Sequence, residues 1–276
     1  MKLRVALAAA FYAASIPTLT AQPVAAPASQ PAPQTAGSDS DALPIPPIPP
    51  RIAESDQYDR CMDMLGDDPA GAEALATAWT NGGDAATHCH ALALIAQGNP
   101  QEGAPMLARL AQTSSAPASA RAELFGQAAS AFTMAGQADA ALQAATDAIT
   151  LAPENPDLRV IHALAAIARK QVAAALDDLN LALEADPKRA DILTLRATAH
   201  RQLGQMSPAQ ADINAACALD PENADALLER GIIRQREGDL TGARQDWQQA
   251  AALSPDSDTA DRAEQNLALL EAGPRR

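Results

Sequence analysis

From residue 122 to residue 257 the chain alternates small apolar and polar positions in a 34-residue phrase written four times, beginning at Ala122, Pro156, Ala190 and Ala224. Aligned, the eighth position reads Ala129, Ala163, Ala197 and Gly231, and the twentieth reads Ala141, Ala175, Ala209 and Ala243. The twenty-seventh is Ala148, Ala182, Ala216 and Ala250, and the thirty-second is always proline: Pro153, Pro187, Pro221 and Pro255. Small side chains at the eighth and twentieth positions predict two antiparallel helices that approach closely, and the proline predicts where the second helix stops. A fixed period of this length predicts a stacked array in which no unit can bury its apolar face alone.

The period and the small-residue positions resemble the tetratricopeptide repeat (TPR) family, a helix–turn–helix repeat of the same length. The resemblance implies an all-α solenoid coiled as a right-handed superhelix. The family often places aromatic residues at the fourth, eleventh and twenty-fourth positions. Phe125, Phe132 and Trp247 keep that habit, whereas Arg159, His200 and Ala145 depart from it.

The flanks read differently. Residues 1–21 have the form of an export signal: Lys2 and Arg4, an apolar stretch from Val5 to Ile16, and a small-residue cleavage site at Ala21 or, alternatively, Ala26. That stretch is too short to span a bilayer as a helix. Residues 22–50 are rich in Pro, Ala, Ser and Gln, a composition that favours extended polyproline II and predicts a spacer. Residues 51–121 are expected to hold divergent N-terminal helical repeats. Within them, 51–83 predicts two short helices, about 53–65 and 69–80, with Asp68 capping the second and Pro69 at its first position. Residues 84–121 predict an altered repeat, with Asp84 as cap, a turn at Gly98-Asn-Pro100 and a long closing loop over 112–119. A capping helix over 258–272, with Leu267, Leu269 and Leu270 on an otherwise polar helix, closes the array before the tail at 273–276.

A net charge of −14 excludes the basic stripe that a phosphate backbone requires. The chain has three cysteines, Cys61, Cys89 and Cys217. Cys217 reads as a small core residue. Cys61 and Cys89 fall on first helices of adjacent units, where a structural disulfide, a redox pair and two buried free thiols are all open readings. The run His88-Cys89-His90 is a poor metal site, because helix geometry turns the two histidines to nearly opposite sides. Acid pairs such as Asp67-Asp68 and Asp177-Asp178 read as caps or solvated faces. Neither a serine elbow, nor a phosphate loop, nor a zinc helix is present. No catalytic, cofactor or metal site is expected, so the chain does not read as an enzyme.

In the family that the repeats resemble, the first helices line a concave groove for an extended peptide or a helix. Carried over, the groove positions begin with Glu123, Gly126, Ser130, Thr133 and Met134 of the first repeat. The second gives Asp157, Val160, Leu164, Ile167 and Ala168, and the third Asp191, Thr194, Thr198, Arg201 and Gln202. Asp225, Leu228, Ile232, Gln235 and Arg236 follow from the fourth. Arg201 and Arg236 either anchor an acidic group of a partner or pair with Asp225 or Glu229. The clamp by which some TPR proteins hold acidic chaperone tails is not kept, since Val160, Leu164, Asp225 and Glu229 stand at its positions.

These observations predict a monomeric, non-enzymatic scaffold in the bacterial periplasm, or secreted, that binds a partner protein or peptide in the groove. It takes no nucleic acid and has no membrane span. Two alternatives remain: a thiol-redox or metal-handling factor using Cys61, Cys89 and His88, and a self-assembling structural array.

Overall fold

The structure is a computed structural model and describes residues 52–272. The export signal, the proline-rich spacer and the tail at 273–276 lie outside the described residues. Thirteen α-helices run through the described part, with no strand among those residues. The N-terminal ones are α1 (Asp56–Asp67), α2 (Pro69–Ala78), α3 (Gly83–Ala96) and α4 (Pro100–Thr113). The repeats follow as α5 (Ala118–Met134) and α6 (Ala138–Leu151), α7 (Pro156–Ala168) and α8 (Val172–Ala185), α9 (Ala190–Gln202) and α10 (Met206–Leu219), and α11 (Ala224–Glu237) and α12 (Leu240–Leu253). Helix α13 (Asp258–Ala272) ends the array.

Each pair is antiparallel, and the sequence makes it so at the turn. Gly98, Gly136, Gly204 and Gly238 all take positive φ, between 71° and 89°. At each of them the chain reverses with a 6→1 hydrogen bond, as from Gln137 N–H to Phe132 C=O (2.8 Å) and Asp239 N–H to Arg234 C=O (2.9 Å). This is the Schellman closure, which satisfies the last carbonyls of the first helix. In the second repeat the same place is held by Lys170, at φ 62°. An L-residue with a Cβ is strained in the left-handed region, and glycine is not. Lys170→Gly should therefore stabilise the protein by about 0.5–1 kcal/mol, read as a higher urea midpoint; an unchanged or lower midpoint would show that Lys170 makes a compensating contact.

Small residues let the paired helices close. Ala129, Ala163 and Ala197 on first helices and Ala141, Ala175, Ala209 and Ala243 on second helices are all at most 1% exposed. First helices also pack on first helices, α5 on α7, α9 on α11 and α11 on α13, whereas no two second helices do so to that extent. The first-helix side is thus the inner side of the array.

Local sequence expectations hold or shift for identifiable reasons. Asp68 caps α2, its carboxylate accepting from Gly71 N–H at 2.9 Å, with Pro69 at the first position. Helix α1 starts at Asp56 rather than at 53, because Ser55 caps it and accepts from Tyr58 N–H. Asp84 is not a cap. Its carboxylate instead accepts from the buried Ser114 hydroxyl at 2.6 Å. Ser114 also accepts from Ala116 N–H, and Arg121 donates to Ala111 C=O, so the closing loop tightens to 114–117. Cys61 and Cys89 form a disulfide between α1 and α3, their Cα atoms 6.1 Å apart. Both are fully buried, among Ala72, Ala76 and Ala93. A core of alanines is thin, so this covalent link holds α1 to the array where apolar burial is smallest.

Candidate functional site

The first-helix face is built from polar edges and an apolar floor. At the N-terminal edge each first helix of the four repeats begins with an acid: Glu123, Asp157, Asp191 and Asp225. Carboxylates suit the first turn of a helix, whose free N–H groups carry partial positive charge. They also tie one repeat to the next. Asn155 donates to Glu123 (3.0 Å), Arg189 to Asp157 (2.9 Å) and to Asp191 (2.9 and 2.7 Å), and Thr259 to Asp225.

The electrostatics follow from those contacts. Burial pushes the Glu123 carboxyl above its ordinary range, the Asn155 hydrogen bond opposes this, and the charge of Asp157 pushes it the same way. Burial alone would raise Asp191, but the hydrogen bonds and charge of Arg189 outweigh it and hold Asp191 below the ordinary range. Hydrogen bonding to Asp191 in turn raises Arg189 above the usual guanidinium range, against the opposing effect of burial.

The floor is apolar in its middle. Leu164 is 39% exposed and Met134 is 47% exposed, while Val160, Ile167 and Ile232 are half-buried beside them. Toward the C-terminal end a cleft of about 370 Å³ opens between α9, α11 and α13. Asp191, Thr194, Thr198, Asp225, Leu228 and Arg262 are among the residues lining it, which places these first-helix positions on one surface.

Several groove residues carry less than the sequence suggested. Arg201 is no free anchor: it forms a two-pronged ion pair with Glu229, both residues largely buried, and so locks α9 to α11. Of the two readings open for this residue, the internal pair is the one the fold uses. Leu228 is only 2% exposed, and Thr194 is buried with its hydroxyl donating to Ala190 C=O at 2.8 Å. The Thr198 hydroxyl likewise donates to Thr194 C=O. Asp157 spends its carboxylate on Arg189. Gln202 and Arg236 are exposed and Gln235 half-buried at the opposite edge.

Two features escaped the sequence reading. Arg262 lines the cleft from α13, a helix expected only to cap. Its position, five residues into a fifth copy of the phrase starting at 258, was the available signal. The other is an ion-pair ladder between the helices of each pair. Asp178, Asp212 and Asp246 are buried, and each faces bases sixteen residues earlier: His162 Nδ1 at 2.6 Å, Arg196 at 2.7 Å, Arg230 at 2.7 Å. Asp178 is therefore not on a solvated face. The 34-residue recurrence of both the acids and the bases was legible; their burial was not.

The remaining candidates are engaged internally. His88 is buried, accepting from the Tyr58 hydroxyl at Nδ1 (2.6 Å) and donating from Nε2 to Gln127 (2.7 Å). Burial pushes its pKa down, with the Gln127 bond opposing. His90, two residues on, reaches Glu73 at 3.7 Å on another side of the helix. Cys217 is buried, and burial pushes its thiol up. Among the described residues no group of three or more His, Cys, Asp or Glu could hold a metal ion, and no helix is long and apolar enough to cross a membrane.

A helical-pair array with Schellman turns every 34 residues and packed first helices defines a repeat solenoid of helix–turn–helix type. Residues 194–258 match the model of the tetratricopeptide repeat family, and the chain is a tetratricopeptide repeat protein. Its fold is similar to that of TTC0263, a thermophilic TPR protein in Thermus thermophilus, with TM-score 0.56 and 18% identity over 67% of this chain and 100% of that one. It is similar to MamA (41-end) from Desulfovibrio magneticus RS-1, with TM-score 0.51 and 18% identity over 74% of this chain and 100% of that one. A monomeric mutant of IFIT1 aligns with TM-score 0.60 and 16% identity, over 78% of this chain and 52% of that one. At these identities the likeness is one of fold. No curated protein matches the sequence significantly.

Proposed function

We propose that this protein is a non-enzymatic docking scaffold of the bacterial periplasm, whose first-helix face receives a segment of a partner protein. The observation that carries the reading is the exposed apolar floor, with Leu164 and Met134 open to solvent beside Val160 and Ile167. Large apolar side chains grouped on an inner face mark an interaction surface more often than a solvated one. The TPR fold supports the same use, since its parallel first helices form a rigid face that needs little ordering on binding. The signal-like residues 1–21 and the buried Cys61–Cys89 disulfide support an oxidising compartment outside the cytoplasm.

The thiol and metal alternative is weakened by the site itself. Both sulfurs are joined and fully buried, and both ring nitrogens of His88 are already hydrogen-bonded.

Crosslinking in intact cells tests the scaffold. The full chain should capture a discrete partner from the envelope fraction, and Leu164→Glu combined with Met134→Glu should reduce that capture at least about tenfold, since each buries a charge in an apolar contact. Equal capture by both proteins would move the interface off this face. The mature N-terminus, read by mass spectrometry of the fractionated protein, tests export; an intact Met1 in the cytosolic fraction would reject it. Light scattering at micromolar concentration should give a monomer, and a growing assembly would favour the self-associating alternative instead.

A further inference from the structure

The polarity of the first-helix face goes beyond the docking reading, on which the following rests, and specifies the chemistry of the docked segment. Along the N-terminal edge, Glu123, Asp157, Asp191 and Asp225 recur once per repeat. Asp157 and Asp191 keep 67% and 52% of their side-chain surface exposed. Four carboxylates there face one guanidinium, that of Arg189, which Asp157 and Asp191 share. The other two are held by the neutral side chains of Asn155 and Thr259. Glu123 feels the charge of Asp157 across the repeat boundary, as its raised pKa records, so these acids are close enough to repel. Beyond this edge lies the exposed floor of Leu164 and Met134. The cations of the face lie elsewhere: Arg201 is consumed by Glu229, Arg236 is at the opposite edge, and Arg262 sits at the C-terminal end of the cleft.

We propose that the segment received by this face is an extended, amphipathic peptide with basic side chains along one side and apolar side chains along the other, the opposite of an acidic tail. Register supports the match. Neighbouring helices pack about 8–10 Å apart, and an extended chain rises about 3.3 Å per residue, so carboxylates one repeat apart fall beside every third residue of the segment. Lysine or arginine at every third position would meet the acidic edge while the residues between them contact Leu164, Val160 and Met134. Charges at such a rim set partner choice and encounter rate, and their attraction weakens as salt rises.

The test uses two synthetic twelve-residue peptides carrying the same leucines, with lysine at every third position in one and glutamate in the other, and fluorescence anisotropy against the full chain. The lysine peptide should bind about tenfold or more tightly than the glutamate peptide, the sum of several modest rim pairs. Asp157→Asn with Asp191→Asn should abolish that preference. Asp177→Asn with Glu184→Gln, which removes two exposed charges on the second helix α8, should leave it unchanged, and circular dichroism should show all variants folded. Several results would overturn the proposal: equal or tighter binding of the glutamate peptide, no binding of either peptide, or an equal loss in the α8 control, which would make the attraction one of net charge alone. The docking reading fails separately. If the lysine preference disappears while partner capture still depends on Leu164 and Met134, only the charge assignment is wrong; if capture never depended on them, the face itself is.

Discussion

Trp247→Ala should cost about 3–5 kcal/mol of stability, the range for emptying a buried tryptophan site. Trp247 is fully buried in α12, and its indole N–H donates to Leu228 C=O at 3.2 Å, joining the two helices of the fourth repeat. The same residue explains why the eighth position is Gly231 here and alanine in the other three repeats. A Cβ on Gly231 would lie 2.3 Å from Trp247 Nε1 and 2.6 Å from its Cδ1, and an indole packed on all sides cannot withdraw. Gly231→Ala should therefore destabilise by about 1–3 kcal/mol, and Trp247→Leu should remove most of that penalty. Urea unfolding followed by circular dichroism measures all three, and a Gly231→Ala penalty unchanged in the Trp247→Leu background would show that the contact is not its source. Because a repeat array couples only neighbours, hydrogen exchange should rise first in α11–α13 while the disulfide-tied α1–α3 stays protected.

Asp246→Ala should be nearly as damaging, at about 2–4 kcal/mol, the cost of unpairing buried charge reduced for the partial hydration of its partners. The carboxylate is 2% exposed and accepts from Arg230 (3.0 and 2.7 Å) and from Arg234 (2.8 Å), whose side chains keep 21% and 31% of their surface. Hydrogen bonding to Asp246 raises the Arg230 guanidinium above its usual range, against a smaller opposing effect of burial. Removing Asp246 leaves two guanidinium groups side by side with no counter-charge. Asp177→Asn, on the exposed side of α8 next to the buried Asp178, is the matched control and should move stability by no more than about 0.5 kcal/mol. Trp247 fluorescence during denaturant titration follows the affected repeat directly. Equal effects of the two substitutions would mean that the ladder carries no more than an ordinary surface charge.

The ladder also accounts for the missing aromatics. Where the resembling family places aromatic residues at the fourth and eleventh positions, this chain has Arg159, His200 and Arg234, and all three turn toward the buried acids Asp178, Asp212 and Asp246. A polar contact thus takes the place of ring packing between the helices of a pair. In sequence, Asp177-Asp178 gave no sign of this, since the two acids are adjacent and only one of them faces the first helix. The groove shows the same division. Its residues were legible by position, yet Arg201 read equally well as an anchor and as a structural pair, because its partner Glu229 lies twenty-eight residues away in the next repeat.

What the sequence determined by itself is everything fixed within one repeat: the 34-residue period, the helix pair with small residues where the helices touch, the Asp68–Pro69 start of α2, and the terminal helix over 258–272. These depend on local backbone rules and on side-chain size, which a single stretch of chain carries. Tertiary structure alone decided which polar residues are core and which remain free. Burial of Asp246, the Arg201–Glu229 lock, the cleft residue Arg262 and the glycine demanded by Trp247 each depend on where the next helix lies, and a charge or a methyl group has no sign until that neighbour is in place.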